Sequence, residues 1–151
     1  MDWAFDITIK NRALFKNFLE TSTLEELNKV PKGFKNNIIW NVAHTIVTQQ
    51  LLVYNLSGVP MLLPDAMVDR YRKGSKADRD VTQTEVDVIK DLLFSTIEQT
   101  KKDYNNKLFK TYNEYTVTTK SILTKVEDAI TFNNFHEGIH LGYILALKNT
   151  L

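Results

Sequence analysis

Residues 136–140 read His136-Glu137-Gly138-Ile139-His140 and lie within a long helical pattern near the end of the chain. This spacing places two imidazoles at positions i and i+4 on one helix face, where both can bind the same metal ion. The chain has 3 histidines, and the remaining one, His44, lies in another helical pattern far upstream. Three neutral imidazoles with an open fourth position are typical of a catalytic divalent-metal site. We therefore expect the fold to bring His44 to this pair.

The same stretch matches the H-E-x-x-H motif of zinc metalloproteases, in which Glu137 would be the general base. We reject that function, because the longer form of the motif requires a further histidine where this sequence has Ala146. Gly138 within the motif also weakens a helix by about 1 kcal/mol relative to alanine. Glu137 lies about 100° around the helix from His136, and we expect it to face solvent.

Composition narrows the class of protein. The 151 residues are 43% hydrophobic and 25% charged, which predicts one globular domain over residues 1–151. The formal net charge is +1, and no basic stripe with interleaved aromatic residues is present, so we expect no nucleic-acid partner. The chain has no cysteine, which excludes disulfides, thiolate ligands and a catalytic cysteine.

Two features predict a soluble, cytoplasmic protein without a membrane partner. The opening residues Met1-Asp2-Trp3-Ala4-Phe5-Asp6 carry acids where a signal peptide needs basic residues. Nowhere does an uninterrupted apolar run approach the length that spans a bilayer.

Helix boundaries can be read from capping residues. Apolar residues at helical spacing predict a first helix over roughly residues 3–20, and Thr23-Leu24-Glu25-Glu26 predicts a capping box for a short helix. Asn36 or Asn37 can cap a second helix that carries His44 and runs to about Leu56, with Gly58 at its C-terminal end.

The second half of the chain contains a long connection and two more helices. Residues 59–80 lose the helical period and predict either part of a pocket wall or a solvated linker. Thr82-Gln83-Thr84-Glu85 predicts a capping box for a third long helix, and Thr124-Lys125-Val126-Glu127 predicts another for the last helix, which ends near Lys148. Residues 107–123 are rich in Thr and Tyr, which is compatible with a briefly extended backbone, and contain no convincing hairpin.

Four long amphipathic segments without alternating strands predict an all-α fold, most simply a four-helix bundle. The long connection forms a crossover between helices 2 and 3 and would let the bundle depart from simple up-down order. Each histidine could instead be a satisfied polar residue at a helix boundary. We favour a shared metal, because three imidazoles among apolar neighbours would otherwise leave several polar nitrogens to satisfy.

Several stretches together resemble the DinB superfamily. Asn37-Ile38-Ile39-Trp40-Asn41-Val42-Ala43-His44, with Gln49-Gln50-Leu51-Leu52 and Ser57-Gly58-Val59-Pro60, is similar to that family's second helix. His136-Glu137-Gly138-Ile139-His140-Leu141-Gly142-Tyr143 is similar to its final helix, and Leu24-Glu25-Glu26-Leu27-Asn28-Lys29-Val30-Pro31 to its lead-in. The resemblance covers essentially the whole chain in helix order.

The resemblance implies a DinB-like four-helix bundle, often a homodimer, with a divalent ion, usually nickel or zinc, held by His44, His136 and His140. It also implies a possible low-molecular-weight thiol as cosubstrate, because characterised relatives include metal-dependent transferases that activate such a thiol. The family often has Gln after the glycine of the last helix, where this sequence has Tyr143. That departure keeps the ligands and alters one neighbouring position.

These observations lead to a functional hypothesis. A three-histidine site would activate a thiol or water for S-transfer to, or hydrolysis of, a small-molecule substrate. Helix spacing makes Asn41, Thr48, Asn133 and Tyr143 the candidate pocket-lining residues. No general base is identified, although Tyr115 and the acids of the crossover are options. The alternatives are a non-catalytic metal-stabilised dimeric bundle or binding module, and a metal-free helical interaction domain.

Overall fold

A computed structural model describes residues 1–151 and is mostly helical with little strand, as the sequence predicts. None of its helices combines the length and apolar character needed to cross a membrane. The elements in chain order are α1 (Asp2–Thr21), α2 (Leu24–Asn28), α3 (Ile38–Gln50) with a π-helical turn (Leu51–Asn55), α4 (Asp65–Tyr71), α5 (Gln83–Asn105), β1 (Tyr115–Thr116), β2 (Ile122–Leu123) and α6 (Val126–Lys148).

Three of the predicted helix starts are confirmed by hydrogen bonds. Thr23 and Thr82 each form a complete capping box, in which the threonine hydroxyl accepts a backbone N–H and a glutamate reaches back. Asn37 caps α3, because its side-chain oxygen accepts the Trp40 N–H at 2.9 Å. Local capping chemistry therefore fixes where these helices begin.

The predicted capping box at Thr124 is wrong. α6 begins at Val126 with Lys125 as its N-cap, and no side chain caps it. The hydroxyl of Thr124 donates to the Asp128 carboxylate at 3.0 Å, as does its backbone N–H. Thr124 lies one residue before the N-cap position, so its hydroxyl cannot accept the N–H bonds that a capping box requires.

The expectation of no hairpin in residues 107–123 is also wrong. β1 pairs antiparallel with β2, with Tyr115 opposite Leu123 and Thr116 opposite Ile122. The turn between them places Lys120 at φ 70°, in the left-handed region where glycine or asparagine is usual. Two-residue strands with a lysine at the turn carry no recognisable hairpin pattern, which explains the missed prediction.

Helix α3 lies at the centre of the molecule. It packs against α6 and α5, and α1 packs against the same two helices. Every residue from Ile38 to Gln50 is buried except Thr48, which is half-buried. Because α3 is enclosed on nearly all sides, a polar residue on it must find its partners within the protein.

The long connection after α3 is tied to the helices around it. Gly58 ends the helical segment at φ +68°, the backbone conformation that favours glycine at a helix C-terminus. Asn28 accepts from the Val81 N–H at 2.8 Å and donates to the Val81 carbonyl at 3.0 Å. Arg70 and Arg79 both form ion pairs with Glu85. These contacts hold the connection, including α4, against the ends of α3 and α5.

Candidate metal centre

The three histidines lie together where α3 faces α6. Each offers one nitrogen to a cluster in which all three atoms lie within 4.8 Å of one another. The ring centroids are 4.6 Å apart for His136 and His140, 4.8 Å for His44 and His140, and 5.2 Å for His44 and His136. Two distant parts of the sequence therefore contribute to one group of imidazoles.

His44 is held in one orientation and one tautomer. Its Nδ1 lies 2.6 Å from the backbone carbonyl of Tyr71, at the end of α4. A carbonyl oxygen can only accept, so the proton is on Nδ1 and the lone pair is on Nε2. Trp40 stacks on the ring at 4.6 Å and 11°. This is the arrangement in which an outer hydrogen bond orients a metal-binding histidine.

His140 is oriented in the same way by an amide. Its Nδ1 lies 2.9 Å from Oδ1 of Asn41. The amide nitrogen of Asn41 donates to the Asn37 carbonyl at 2.7 Å, which fixes Oδ1 as the acceptor. Nδ1 of His140 is therefore the protonated nitrogen, and its Nε2 lone pair is free.

His136 lacks such a partner. Its Nδ1 is buried and forms no hydrogen bond. A buried polar nitrogen without a partner destabilises the fold by about 1–3 kcal/mol. A metal ion bound through this nitrogen would satisfy it, so the residues present fit a divalent ion with imidazole ligands.

The electrostatics of the cluster favour neutral rings. Burial, and after it the neighbouring His140 and His44, together lower the pKa of His136 to about 2. Burial and then His44 lower the pKa of His140 to about 4. Burial also lowers the pKa of His44, while the Tyr71 carbonyl opposes that change. At neutral pH all three rings are uncharged, which is the form that binds metal.

A cavity of about 500 Å³ opens beside the histidines. This volume is within the range of small-molecule sites. Its lining contains no carboxylate, and half of the lining residues are hydrophobic. Besides the three histidines, the cavity is lined by Thr48, Leu51, Leu52, Asn55, Leu56, Lys73, Tyr115, Val117, Thr118, Thr119, Phe132, Phe135 and Ile139.

The sequence model of one family, described as the DinB superfamily, matches residues 8–144 and so includes all three histidines. The chain belongs to the DinB superfamily. No curated protein matches the sequence.

Of the four candidate pocket-lining residues in this DinB-superfamily chain, one lines the cavity. Thr48 lines the cavity, and its hydroxyl lies 3.3 Å from Nε2 of His44. Asn41 lies behind His140 and outside the cavity wall. Asn133 is buried and donates to Glu137 at 3.0 Å, whereas Tyr143 packs edge-on against Phe34. Neither of the last two lines the cavity.

Among the options for a general base, Tyr115 lines the cavity of this DinB-superfamily chain, whereas no acid of residues 59–80 does. A phenol hydroxyl is in general a poor proton acceptor at neutral pH. The site therefore contains metal-binding nitrogens without an evident proton acceptor among the acids.

The prediction that Glu137 faces solvent is wrong. Its side chain is 0% exposed and forms an ion pair with Arg12 of α1, with Nε 3.1 Å from Oε1. Desolvation raises the pKa of Glu137, and the guanidinium of Arg12 opposes that rise. α1 covers the face of α6 that the isolated helix would leave open, so the acid is enclosed together with its counter-charge.

Sequence reasoning missed several contributors to the site of this DinB-superfamily protein, among them three residues of two kinds. Tyr71 acts through its backbone carbonyl, which no side-chain pattern can reveal. Phe135 and Ile139 are apolar residues of α6 that are 51% and 50% exposed and line the cavity. Their positions on either side of His136 were the available signal, because residues near a metal ligand on one helix face share its cavity.

Proposed function

We propose that this protein is a divalent-metal-dependent enzyme of the DinB-like type that acts on a small molecule. His44, His136 and His140 would hold nickel or zinc, and a thiol or water would be the nucleophile for S-transfer or hydrolysis. The observation that carries the proposal is the position of three neutral imidazoles in the wall of an open cavity. A purely structural ion would instead be closed off by a fourth protein ligand.

The residues of the chain prepare the site before any ligand binds. The Tyr71 carbonyl and the Asn41 amide place the protons of His44 and His140 on Nδ1, so each Nε2 carries a lone pair. The lone pair of His44 accepts from the Thr48 hydroxyl at 3.3 Å, a hydrogen bond that a bound ion would replace. A divalent ion held there would act as a Lewis acid and lower the pKa of a coordinated thiol or water towards neutrality. Because the three ligands carry no charge, they would not offset the charge of the ion.

The cavity wall supplies the remaining functions. Leu51, Phe132 and Ile139 exclude water from one side of a bound substrate, which strengthens electrostatic interactions at the histidines. The hydroxyl of Thr48 next to His44 can donate to a ligand or accept from it. With a thiol as nucleophile, the proton lost on binding can pass to solvent through the open side of the cavity.

The arrangement of the long helices is part of the same proposal. We infer a four-helix bundle of α1, α3, α5 and α6 in one domain over residues 1–151, with the segment containing α4 as the crossover. The packing of α1 and α3 against both α5 and α6 supports this arrangement. A homodimer is also part of the proposal, and the exposed apolar residues of α6, among them Tyr143 and Leu145, offer a surface for it.

One observation favours the non-catalytic alternative, a metal-stabilised binding module. The cavity contains no carboxylate that could act as a general base. Hydrolysis with water as the nucleophile usually requires such a base, whereas transfer from a metal-activated thiol does not. Within the enzymatic proposal, S-transfer is therefore the preferred reaction.

Metal analysis and activity measurements test the proposal together. We expect one nickel or zinc ion per chain in the wild-type protein, a lower melting temperature after chelator treatment, and loss of both the ion and the chelator effect in His44→Ala. Lys76→Ala is the matched control, because Lys76 is exposed and does not line the cavity. Metal binding without turnover of thiol-plus-electrophile or ester substrates would favour the binding module. Metal content unchanged in His44→Ala would overturn the site itself.

A further inference from the structure

The cavity beside the histidines contains a single formally charged side chain, that of Lys73. Lys73 follows α4 on the crossover, two residues after the Tyr71 carbonyl that holds His44. Its ammonium group donates to the Thr118 hydroxyl at 3.1 Å. The cavity therefore combines one cation with neutral walls, a charge distribution that selects for an anionic ligand.

Lys73 differs from the arginines near it in having no acidic partner. Arg70 and Arg79 pair with Glu85, and Arg72 pairs with Asp69. The charge of Lys73 is balanced only by solvent and by a neutral hydroxyl. An unpaired ammonium at the edge of a cavity is available to a ligand, and it loses little by exchanging water for an anion.

The part of the cavity wall formed by α6 is apolar and partly aromatic. Phe132, Phe135 and Ile139 follow one another along α6 and line the cavity together. Phe135 and Ile139 are each about half exposed, at 51% and 50%. Covering this apolar area would stabilise a complex in proportion to the area removed from water. The wall thus fits the hydrocarbon or aromatic body of a ligand.

From this juxtaposition we propose that the cavity binds a small amphipathic organic acid. Its carboxylate is held by the ammonium of Lys73 and by the hydroxyl of Thr118, which accepts from Lys73 and so keeps its own proton to donate, and its apolar body lies on the α6 wall. One ammonium with one hydroxyl donor matches a monoanionic carboxylate, whereas phosphate recognition usually employs an arginine fork or several converging N–H groups. The carboxylate site does not depend on the proposed function. Only the chemistry at the other end of the ligand, which faces the histidines, rests on it.

Metal-free protein tests the anion site without interference from a bound ion. The probes are 3-phenylpropanoate, 3-phenylpropan-1-ol and 3-phenylpropylamine, which share one body and differ in charge. By titration calorimetry or ligand-observed NMR, we expect wild-type protein to bind the carboxylate about fivefold to tenfold more tightly than the alcohol, and the amine most weakly. Added salt should reduce the preference, because Lys73 is exposed.

Two variants assign the preference to one residue. Lys73→Met removes the charge while keeping a similar length, and it should bind the carboxylate and the alcohol equally. Lys76→Met removes a nearby exposed lysine that does not line the cavity, and it should behave like wild type. The proposal is overturned if Lys73→Met keeps the preference, if the amine binds as tightly as the acid, or if none of the probes binds.

Zinc-loaded protein separates this inference from the proposed function. A thiol-bearing analogue, 2-benzyl-3-mercaptopropanoate, should bind zinc-loaded wild type at least tenfold more tightly than 3-phenylpropanoate, and His44→Ala should abolish that gain. Suppose that zinc-loaded protein binds the thiol analogue no more tightly than 3-phenylpropanoate, while metal-free protein still prefers the carboxylate to the alcohol. The thiol chemistry then fails and the anion site stands. If the gain is present while Lys73→Met has no effect on the preference, the anion site fails and the thiol chemistry stands.

Discussion

Arg12→Met should strongly destabilise the protein, because it removes the counter-charge of a fully buried acid. Arg12 and Glu137 are both 0% exposed and form an ion pair between α1 and α6. The guanidinium also donates to the Leu93 carbonyl and to the Thr96 hydroxyl, each at 2.8 Å. Asn133 donates to the same carboxylate oxygen that Arg12 contacts. The pair is therefore the centre of a polar network inside the helical core.

The size of the effect follows from desolvation. Breaking a buried ion pair by removing one partner costs about 3–5 kcal/mol, since the remaining charge stays buried without compensation. For a chain of this length each kcal/mol shifts the melting temperature by about 2–4 °C, so we expect a fall of roughly 6–20 °C. The network is incompletely satisfied, because Arg12 Nη2 and Glu137 Oε2 have no partner. That deficiency predicts that an apolar replacement of both residues is tolerated.

The assay is a double-mutant cycle of Arg12→Met, Glu137→Leu and the double variant, by urea and thermal unfolding with chelator present to exclude stabilisation by metal. The double variant should lie within about 1–2 kcal/mol of wild type. The cost of Arg12→Met should also shrink as the pH falls, because burial raises the pKa of Glu137 and the fold then favours its protonated form. A single-variant cost below about 1 kcal/mol, or a double variant as unstable as the sum of the singles, would refute this reasoning.

Three further predictions concern the histidines and the helix ends. Metal-free protein should lose stability as the pH falls from about 6.5. In the unfolded chain the histidines take up protons near that pH. In the folded protein they stay neutral to lower pH, because the pKa is about 4 for His140 and about 2 for His136. Each of these histidines contributes up to about 1.4 kcal/mol per pH unit, and a flat urea-unfolding profile between pH 7 and 5 would contradict this. Asn37→Ala should cost about 1–2 kcal/mol in urea unfolding through loss of the α3 cap, and a change below a few tenths would contradict it. Gly58→Ala should destabilise the protein by about 1 kcal/mol, because residue 58 has φ +68°. Gly142→Ala should be neutral or stabilising, because a Cβ there meets open space on α6. Equal effects of the two variants on the melting temperature would refute the argument from backbone conformation.

Three of the helix starts and the histidine cluster could be predicted because their signals are local. A capping residue such as Thr82 acts within its own first turn, so sequence spacing alone identifies it. The i,i+4 spacing of His136 and His140 fixes their shared face in the same way. The position of His44 opposite them followed from its place among apolar residues of a second helix, because two apolar faces pack against each other in a small helical protein.

The parts that could not be predicted depend on partners far away in sequence. Glu137 is buried because Arg12, 125 positions earlier, lies against it, and a helix considered alone gives no sign of this. The sequence also gives no sign that Ile139 lines the cavity. An apolar residue at helical spacing has the same pattern in a core and in a ligand pocket. Periodicity identifies which face of a helix is covered, and the covering element determines what that face does.

The hydrogen bond from His44 to the Tyr71 carbonyl has a consequence for engineering this scaffold. The direction of the imidazole depends on a main-chain atom of the connecting segment, whatever side chain occupies position 71. Replacing residues 59–80 by a short flexible linker, or opening the chain there in a circular permutant, would leave the long helices able to pack while freeing this ring to rotate. Side-chain redesign at position 71 is therefore permissible for metal binding, whereas redesign of the segment's path is not.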